Sequence, residues 1–174
     1  MYLEAFIDNH RITGSYDIAS GYLITRLLTE RMLRLEQVSV SRISKPGEIV
    51  ATRKHAAIRV DTINLIIAQK MDAGRVLPLS DVQARIEAFI TMPNFEVQGV
   101  VHAKAKRPST GYLMSENTSV YLDPLLNGRA VCMSTGYVYE GYLFLIRKDR
   151  ISMISLSHDA PLAIVREIED LSVR

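Results

Sequence analysis

Two stretches of this chain occur twice in the same order, and this internal repetition constrains the fold more than any other feature. Residues 3–7 (Leu-Glu-Ala-Phe-Ile) resemble residues 86–90, and residues 58–66 resemble residues 146–154. The offsets are 83 positions (3 to 86) and 88 positions (58 to 146), so small insertions separate the matches. The pattern predicts two tandem copies of one small unit. Each unit would hold roughly 75 residues, close to the lower limit for an independent core, so we expect the halves to pack on each other.

The composition is that of an ordinary globular protein and excludes several classes. Of 174 residues, 48% are hydrophobic and 23% are charged. A net charge of +2 and a pI near 8.7 permit an anionic partner but do not indicate a polycation. The single cysteine, Cys132, excludes an internal disulfide and is expected to be buried and inert. No secretory signal and no apolar run of about 20 residues is visible. We therefore expect a cytoplasmic protein with no membrane partner.

Alternating apolar and polar residues predict about five short strands in each half, mostly joined as hairpins. In the first half we expect strands at 2–7, 11–18, 36–43, 48–60 and 63–68. In the second half we expect them at 85–91, 95–103, 118–123, 129–147 with a break at Thr135-Gly136, and 151–156. Gly14 and Gly99 occupy the same place in the second strand of each half, which indicates a bulge or a sharp bend. Five short strands in hairpin order are typical of small β-barrels.

Helical spacing appears in two places. Leucines within 20–34 predict a helix inserted in the first half, and the matching segment after Gly111 predicts only a turn. Residues 159–174 start with Asp-Ala-Pro and then alternate apolar and charged positions, which predicts an amphipathic C-terminal helix that packs on the barrels. The predicted organisation is therefore a first barrel at 1–72, a linker at 73–84, a second barrel at 85–158 and the helix at 159–174.

Short motifs resemble those of Sm-like and SH3-like small barrels, in particular an uncharacterised bacterial group of such domains. The first half has Ile12-x-Gly14, Gly21, Leu27-Leu28 and Asp61-x-Ile63; the second has Val97-x-Gly99, Gly111 and Lys148-Asp149-Arg150-Ile151. The resemblance covers most of both halves and implies a mainly β fold of two tandem five-stranded barrels, with no established activity. Lys54-His55-Ala56 also resembles a segment that lines a uridine-binding pore in the Sm-like RNA-chaperone family. Here that segment lies about six residues before the turn in which the family carries it.

No constellation for catalysis or metal binding can be defended from the sequence. Ser157-His158-Asp159 are consecutive and cannot form a relay, because the histidine must be held from both sides in space. The four histidines are scattered and no Cys-x-x-Cys or His-x-His spacing occurs. Phosphate-loop and dinucleotide fingerprints are also missing from the sequence. We therefore expect no catalytic, metal or cofactor residues, and an enzyme of unknown type ranks third among the functions.

The most specific polar signal is the recurrence of Arg59 and Asp61 as Arg147 and Asp149 at two predicted tight turns. One interpretation is structural, in which the aspartate orders the turn and the arginine stem covers apolar surface. The other is an anion or nucleic-acid site, because basic groups interleaved with tyrosines suit single-stranded nucleic acid. Its candidate contacts are Arg59, Arg147, Lys148, Arg150, Lys54 and Tyr139.

The favoured function is a non-enzymatic scaffold or interaction module that assembles with itself or another protein through exposed barrel edges. Weak binding of single-stranded nucleic acid or a nucleotide through the basic turns is the alternative.

Overall fold

A computed structural model describes residues 1–17, 27, 29–69, 82–115 and 120–157 of the protein, and its strands form one antiparallel sheet. The fold is mainly β, as predicted. The first half contributes β1 (Tyr2–Ile7), β2 (His10–Ser15), β3 (Met32–Arg42), β4 (Lys45–Arg59) and β5 (Leu65–Ala68). The second half contributes β6 (Ala84–Met92), β7 (Phe95–Ala103), the short helix α1 (Thr110–Met114), β8 (Leu125–Cys132), β9 (Val138–Ile146) and β10 (Met153–Leu156). No helix within the described part of the chain has the length and apolarity that crossing a membrane requires.

The two halves have the same internal strand order. The strands lie side by side in the order β10-β6-β7-β8-β9-β5-β1-β2-β3-β4. Within each half, the fifth strand therefore comes first in the sheet and is followed by the first, second, third and fourth strands. Each first hairpin turns on two residues, Asp8-Asn9 and Pro93-Asn94, and in each turn one of them takes a positive φ (Asp8 47°, Asn94 71°). Asp and Asn tolerate this left-handed backbone better than most residues. Local side-chain chemistry therefore sets both hairpins.

The predicted bulges at the repeated glycines are confirmed. The register of β2 with β3 shifts between Thr13 and Ser15, and that of β7 with β8 shifts between Gln98 and Val100. A Cβ atom on Gly14 would lie 2.9 Å from the Glu36 carbonyl oxygen, a distance that real Cβ atoms do not adopt. The glycine is needed because the neighbouring backbone approaches so closely.

The halves are joined by a direct strand pair, β5 with β9, in which Leu65, Ile66, Ile67 and Ala68 lie opposite Ile146, Leu145, Phe144 and Leu143. All eight residues are buried. Because side chains alternate across a strand, Leu65 and Ile67 enter one core while Ile66 and Ala68 enter the other. Each core contains residues of both halves, which confirms the expectation that they pack on each other.

The described sheet is open, with β10 and β4 at its two ends. It is one continuous sheet rather than two closed five-stranded barrels, so the strand pairing corrects that part of the prediction. Residues 73–84, predicted as a linker, lie mostly outside the described residues, and β6 already begins at Ala84. The C-terminal helix predicted at 159–174 lies entirely outside them. The domain boundaries stay predictions.

Three local predictions differ from the structure. The inserted helix was expected to reach residue 34, but Met32–Arg34 begin β3; Leu27 and Thr29 are helical, and the rest of 18–28 lies outside the described residues. The strand expected at 118–123 is wrong for its described residues, because within 120–123 only Tyr121 makes an isolated bridge, with Arg147. The break at Thr135-Gly136 is a complete hairpin turn between β8 and β9, in which Gly136 adopts φ +70°. The third strand of the second half is therefore β8.

The sequence match of Phe6 with Phe89 is also wrong as a structural equivalence. Counted from the hairpin turns, Ile7 pairs with His10 and Met92 pairs with Phe95, so Ile7 corresponds to Met92 and Phe6 to Thr91. Phe6 is fully buried in the core of the second half, whereas Phe89 is half-buried. The offset that the pairing supports in this hairpin is 85 (Gly14 to Gly99), not 83.

Candidate functional site

The repeated arginine–aspartate turns have nearly identical geometry. Both Asp61 and Asp149 lie in single turns of 3-10 helix, Val60–Thr62 and Lys148–Arg150, each just after a long strand. Arg59 Nε donates to Asp61 Oδ1 across 3.0 Å, and Arg147 Nε donates to Asp149 Oδ1 across 2.9 Å. In each pair Nη2 bonds the second carboxylate oxygen, which makes both pairs bidentate.

The two pairs differ in burial. The Arg59 side chain is 67% exposed, whereas that of Arg147 is 11% exposed, because β9 lies inside the sheet and β4 lies at its edge. Arg147 Nη1 is buried with no hydrogen-bond partner among the described residues. The hydrogen bond from Arg59 holds the pKa of the Asp61 carboxyl below its usual range. Each arginine is therefore already engaged by an aspartate two residues ahead.

A cleft of about 660 Å³ between the halves brings the two arginines to one place. Arg59 and Asp61 line one side, and Tyr121 and Arg147 line the other; Arg31 and Glu30 complete its charged lining. The Tyr121 hydroxyl lies 3.5 Å from the Val60 carbonyl oxygen, and burial raises its pKa to about 12. Carboxylates offset much of the positive charge here, so the cleft is mixed rather than cationic.

The other candidate anion contacts are dispersed. Lys148 is buried and its Nζ donates to the Ser115 carbonyl oxygen across 2.9 Å; burial lowers its pKa. Tyr139 is buried, with its hydroxyl 2.9 Å from the Ile43 carbonyl oxygen, so neither ring face is open for stacking on a base. Arg150 and Lys54 are exposed, the first in the 3-10 turn after β9 and the second on β4. The structure thus brings together only Arg59 and Arg147 of the six predicted contacts.

Cys132 lies at the end of β8 and is buried. Its sulfur lies 3.3 Å from Ser134 Oγ. Burial raises the pKa of this thiol, but hydrogen bonds from Ser134 and Thr135 outweigh that effect and leave the pKa below its ordinary value. A buried thiol with two hydroxyl neighbours is not accessible to a substrate. Within the described ranges no group of three His, Cys, Asp or Glu side chains is arranged to hold a metal ion.

Among the described residues the sheet has two unpaired edges, β4 and β10, which the sequence reasoning did not locate. β4 has fifteen residues, most of them exposed, including Ile49 and Val50. β10 has four residues, and Met153 is exposed at its start. The Val60 N–H donates to the Arg31 carbonyl oxygen, on the side of β4 that faces β3. Because the direction of N–H groups alternates along a strand, those of Ala57 and Arg59 point to the unpaired side of β4.

A signal for these edges was present in the sequence. Residues 65–68 (Leu-Ile-Ile-Ala) and 143–146 (Leu-Phe-Leu-Ile) are continuous apolar runs, which indicate strands buried on both faces. The matching segments of the other half, 153–156 (Met-Ile-Ser-Leu) and 55–58 (His-Ala-Ala-Ile), are interrupted by polar or small residues. That contrast separates the joined strands from the open ones.

Comparison with known protein families, curated proteins and solved structures gives no match. Every functional argument for this protein therefore rests on its own residues.

Proposed function

We propose that this protein is a non-enzymatic interaction scaffold that accepts β-strands at the two open ends of its sheet. The observation that carries the proposal is the β5·β9 pair, in which an end strand of one half is completed by an end strand of the other. The same chain thus contains one example of the contact and two further edges of the same kind. An open edge presents unpaired N–H and C=O groups that another strand can bond.

The proposal includes the origin of the two halves as copies of one Sm-like or SH3-like small-barrel unit. Its support is the common strand order, the glycine bulge in each second strand and the repeated arginine–aspartate turn. In this view each unit has a fourth and a fifth strand that remain available for pairing. One such pair is formed within the chain, and β4 and β10 remain.

The two edges differ in chemistry and would select different strands. β4 carries Arg53, Lys54 and His55 in its exposed central part, so it favours an acidic or neutral partner strand. β10 is short and carries no charged residue. Charged side chains on an edge also suppress unspecific pairing, so the β4 edge is selective rather than generally adhesive.

Peptides copied from the internal joint test whether the edges accept strands. A fluorescent peptide of residues 63–69, flanked by glutamates for solubility, should bind the β4 edge in the way that β5 binds β9. Binding is read by fluorescence anisotropy against the full chain. The matched control peptide carries Ile66→Pro, which removes a ladder N–H and should abolish binding.

Protein variants locate the peptide on the edge. Ala57→Pro removes an outward N–H of β4 and should abolish binding, while Ala57→Val keeps that N–H and should preserve binding. Circular dichroism checks that both variants keep the β fold. A second peptide, residues 142–147, tests the β10 edge in the same way, with Leu145→Pro as its control. If neither joint-derived peptide binds saturably, the scaffold proposal is wrong.

The second candidate function is binding of single-stranded nucleic acid or a nucleotide. The observation in its favour is the shared cleft, in which Arg31, Arg59 and Arg147 converge. It predicts that a labelled single-stranded oligonucleotide binds with an affinity that falls steeply with salt and is lost in Arg59→Ala. No binding at low salt would remove this candidate.

A further inference from the structure

We propose that the strand accepted at these edges belongs to a second copy of this chain, with β10 of one molecule added antiparallel to β4 of the next. The inference rests on the proposed scaffold function and names its partner. Its basis is the joint inside the chain, in which the fifth strand of one half, β5, pairs with the fourth strand of the other, β9. The two end strands of the sheet are the remaining fifth strand, β10, and the remaining fourth strand, β4.

The internal joint fixes the register of the contact between molecules. Counted from the aspartate of each 3-10 turn, Leu65 and Met153 both come four residues later, and Ile58 and Ile146 both come three residues earlier. The observed pair Leu65 with Ile146 therefore translates into Met153 opposite Ile58. The following pairs are Ile154 opposite Ala57 and Ser155 opposite Ala56.

The backbone groups needed for this register are in place. In the internal joint Arg147 N–H donates to the Asn64 carbonyl oxygen across 3.1 Å. The counterparts are Arg59 N–H, which faces outward from β4, and the carbonyl of Ser152, which precedes β10. The donor and the acceptor of the first ladder contact are therefore both present at the free edges.

Two apolar side chains are exposed at positions that such a contact would cover. Met153 is 47% exposed, whereas its counterpart Leu65 is fully buried by the joint. Met133 is 56% exposed. Its counterpart is Ile43, because Ile43 N–H bonds the Asn9 carbonyl and Met133 N–H bonds the Asn94 carbonyl in the equivalent turn. Ile43 is buried in the core of the other half. Met133 therefore occupies the position that is buried at the joint in the first half, but is itself exposed.

The contact between molecules is weaker than the joint inside the chain. In the joint, each half places two large apolar side chains into the core of the other half: Leu65 and Ile67 from β5, and Leu143 and Leu145 from β9. The equivalent positions on the free edges are Met153 and Ser155 on β10, and His55 and Ala57 on β4. Less apolar area is removed from water, so association is reversible and depends on concentration. The interface is head-to-tail, since different edges meet, and it builds a ring or a chain of copies rather than a two-fold dimer.

Cysteine pairs test both the partner and the register. In a Cys132→Ser background, Ala56→Cys and Ser155→Cys introduce two thiols that face each other across a non-hydrogen-bonded pair in the proposed contact. Opposite Cβ atoms in such a pair lie about 4.5–5.5 Å apart, within reach of a disulfide with small adjustment. Mild oxidation should give a ladder of disulfide-linked multimers on a non-reducing gel. The matched control pairs Ser155→Cys with Ala57→Cys, whose side chains lie on opposite faces and should leave monomers.

Light scattering gives an independent measurement on the unmodified chain. The mean mass should rise with concentration, and Met133→Ser should shift that rise to higher concentration. Val120→Ser is the matched control, because Val120 is similarly exposed but lies in the cleft between the halves rather than on either edge.

The outcomes separate this inference from the scaffold proposal. Peptide binding together with a strictly monomeric protein and no in-register disulfide overturns the second copy as partner and leaves the scaffold proposal intact. A disulfide formed within one chain, or equal cross-linking in the two cysteine pairs, also overturns the inference. Absence of both peptide binding and cross-linking overturns the two proposals together.

Discussion

The hydroxyl group of Tyr139 donates a hydrogen bond to the carbonyl oxygen of Ile43 across 2.9 Å, and so ties β9 of the second half to the β3–β4 turn of the first. The ring of Phe6 packs edge-on against the same tyrosine and against Phe95, with centroid distances of 5.0 and 5.1 Å. A second tie lies nearby, where Asn94 Nδ2 donates to the Asp8 carbonyl oxygen across 3.0 Å. The halves are therefore held by side chains as well as by the β5·β9 ladder.

Phe6 should contribute far more to stability than Phe89, although the two residues match in the sequence. Phe6→Leu removes two edge-to-face ring contacts and should lower the free energy of unfolding by about 1–3 kcal/mol. Phe89→Leu, at a half-buried position, should cost less than about 1 kcal/mol. Urea unfolding of the two variants measures the difference. Equal losses would contradict the corrected register.

Stability should fall in strongly alkaline solution because of two buried tyrosines. Burial raises the pKa of both Tyr121 and Tyr139 to about 12, while the unfolded chain titrates near 10.0. Between these values the unfolded chain loses protons that the folded protein keeps, so the free energy of unfolding falls as the pH rises from about 10 to about 12. Tyr139→Phe should flatten this fall. At neutral pH it should itself cost about 1 kcal/mol, because the hydrogen bond to Ile43 is lost.

Urea unfolding at neutral pH and at several alkaline pH values provides the measurement, and tyrosinate absorbance of the folded protein follows the titration directly. Tyr137→Phe serves as the control, since that side chain is exposed. A fall in stability that is equally steep in wild type and Tyr139→Phe would show that another group is responsible.

Gly141 should not tolerate a methyl group, because it lies where β9 passes the joint. A Cβ atom there would collide with Ile67 Cγ2 and lie 3.2 Å from the Ala68 carbonyl oxygen, and Ile67 is fully buried. Gly141→Ala should therefore destabilise the protein by about 1–3 kcal/mol through overpacking. Gly47→Ala is the matched control, because nothing lies within 4 Å of its added Cβ. Thermal unfolding distinguishes the two, and a neutral Gly141→Ala would refute the close approach at the joint.

The two arginine–aspartate turns should respond differently to the same substitution. Arg147→Ala removes a largely buried stem and a bidentate pair, and should cost about 1 kcal/mol. Arg59→Ala removes an exposed pair and should leave stability unchanged. Both variants can be compared by urea unfolding at low and high salt. Equal effects would mean that the position of β9 inside the sheet does not matter to this pair.

Much of the local structure was readable from residue chemistry. Asp8-Asn9-His10 and Met92-Pro93-Asn94 predict hairpin turns because Asp and Asn tolerate left-handed backbone, and Asp8 and Asn94 adopt it. Gly14 and Gly99 predict a bulge or a sharp bend, because glycine inside a strand often marks one. The turns at Asp61 and Asp149 were also predicted correctly. The turns depend on interactions between residues close in the chain, and each glycine bulge involves only the next strand of the same half.

Errors arose where a prediction needed distant neighbours. The match of Phe6 with Phe89 kept the inward–outward alternation, since an error of two residues does not change the face of a strand. The match was therefore consistent with the pattern of side chains along each strand, and only the pairing of strands across the hairpin shows that it is wrong. The burial of Tyr139 likewise does not follow from the local sequence, because Phe6, which packs against its ring, comes from the other half.

By itself, the sequence determined that this protein is mainly β, that its two halves share one order of strands, and where the chain turns and bulges. Only the tertiary structure decided which fourth strand meets which fifth strand, and hence that β5 and β9 pair with each other while β4 and β10 are the end strands of the described sheet. The reason is that turn preferences act between neighbours in the chain, and each bulge involves only adjacent strands of one half. The pairing of strands about 80 residues apart depends on the apolar area that both cores gain together.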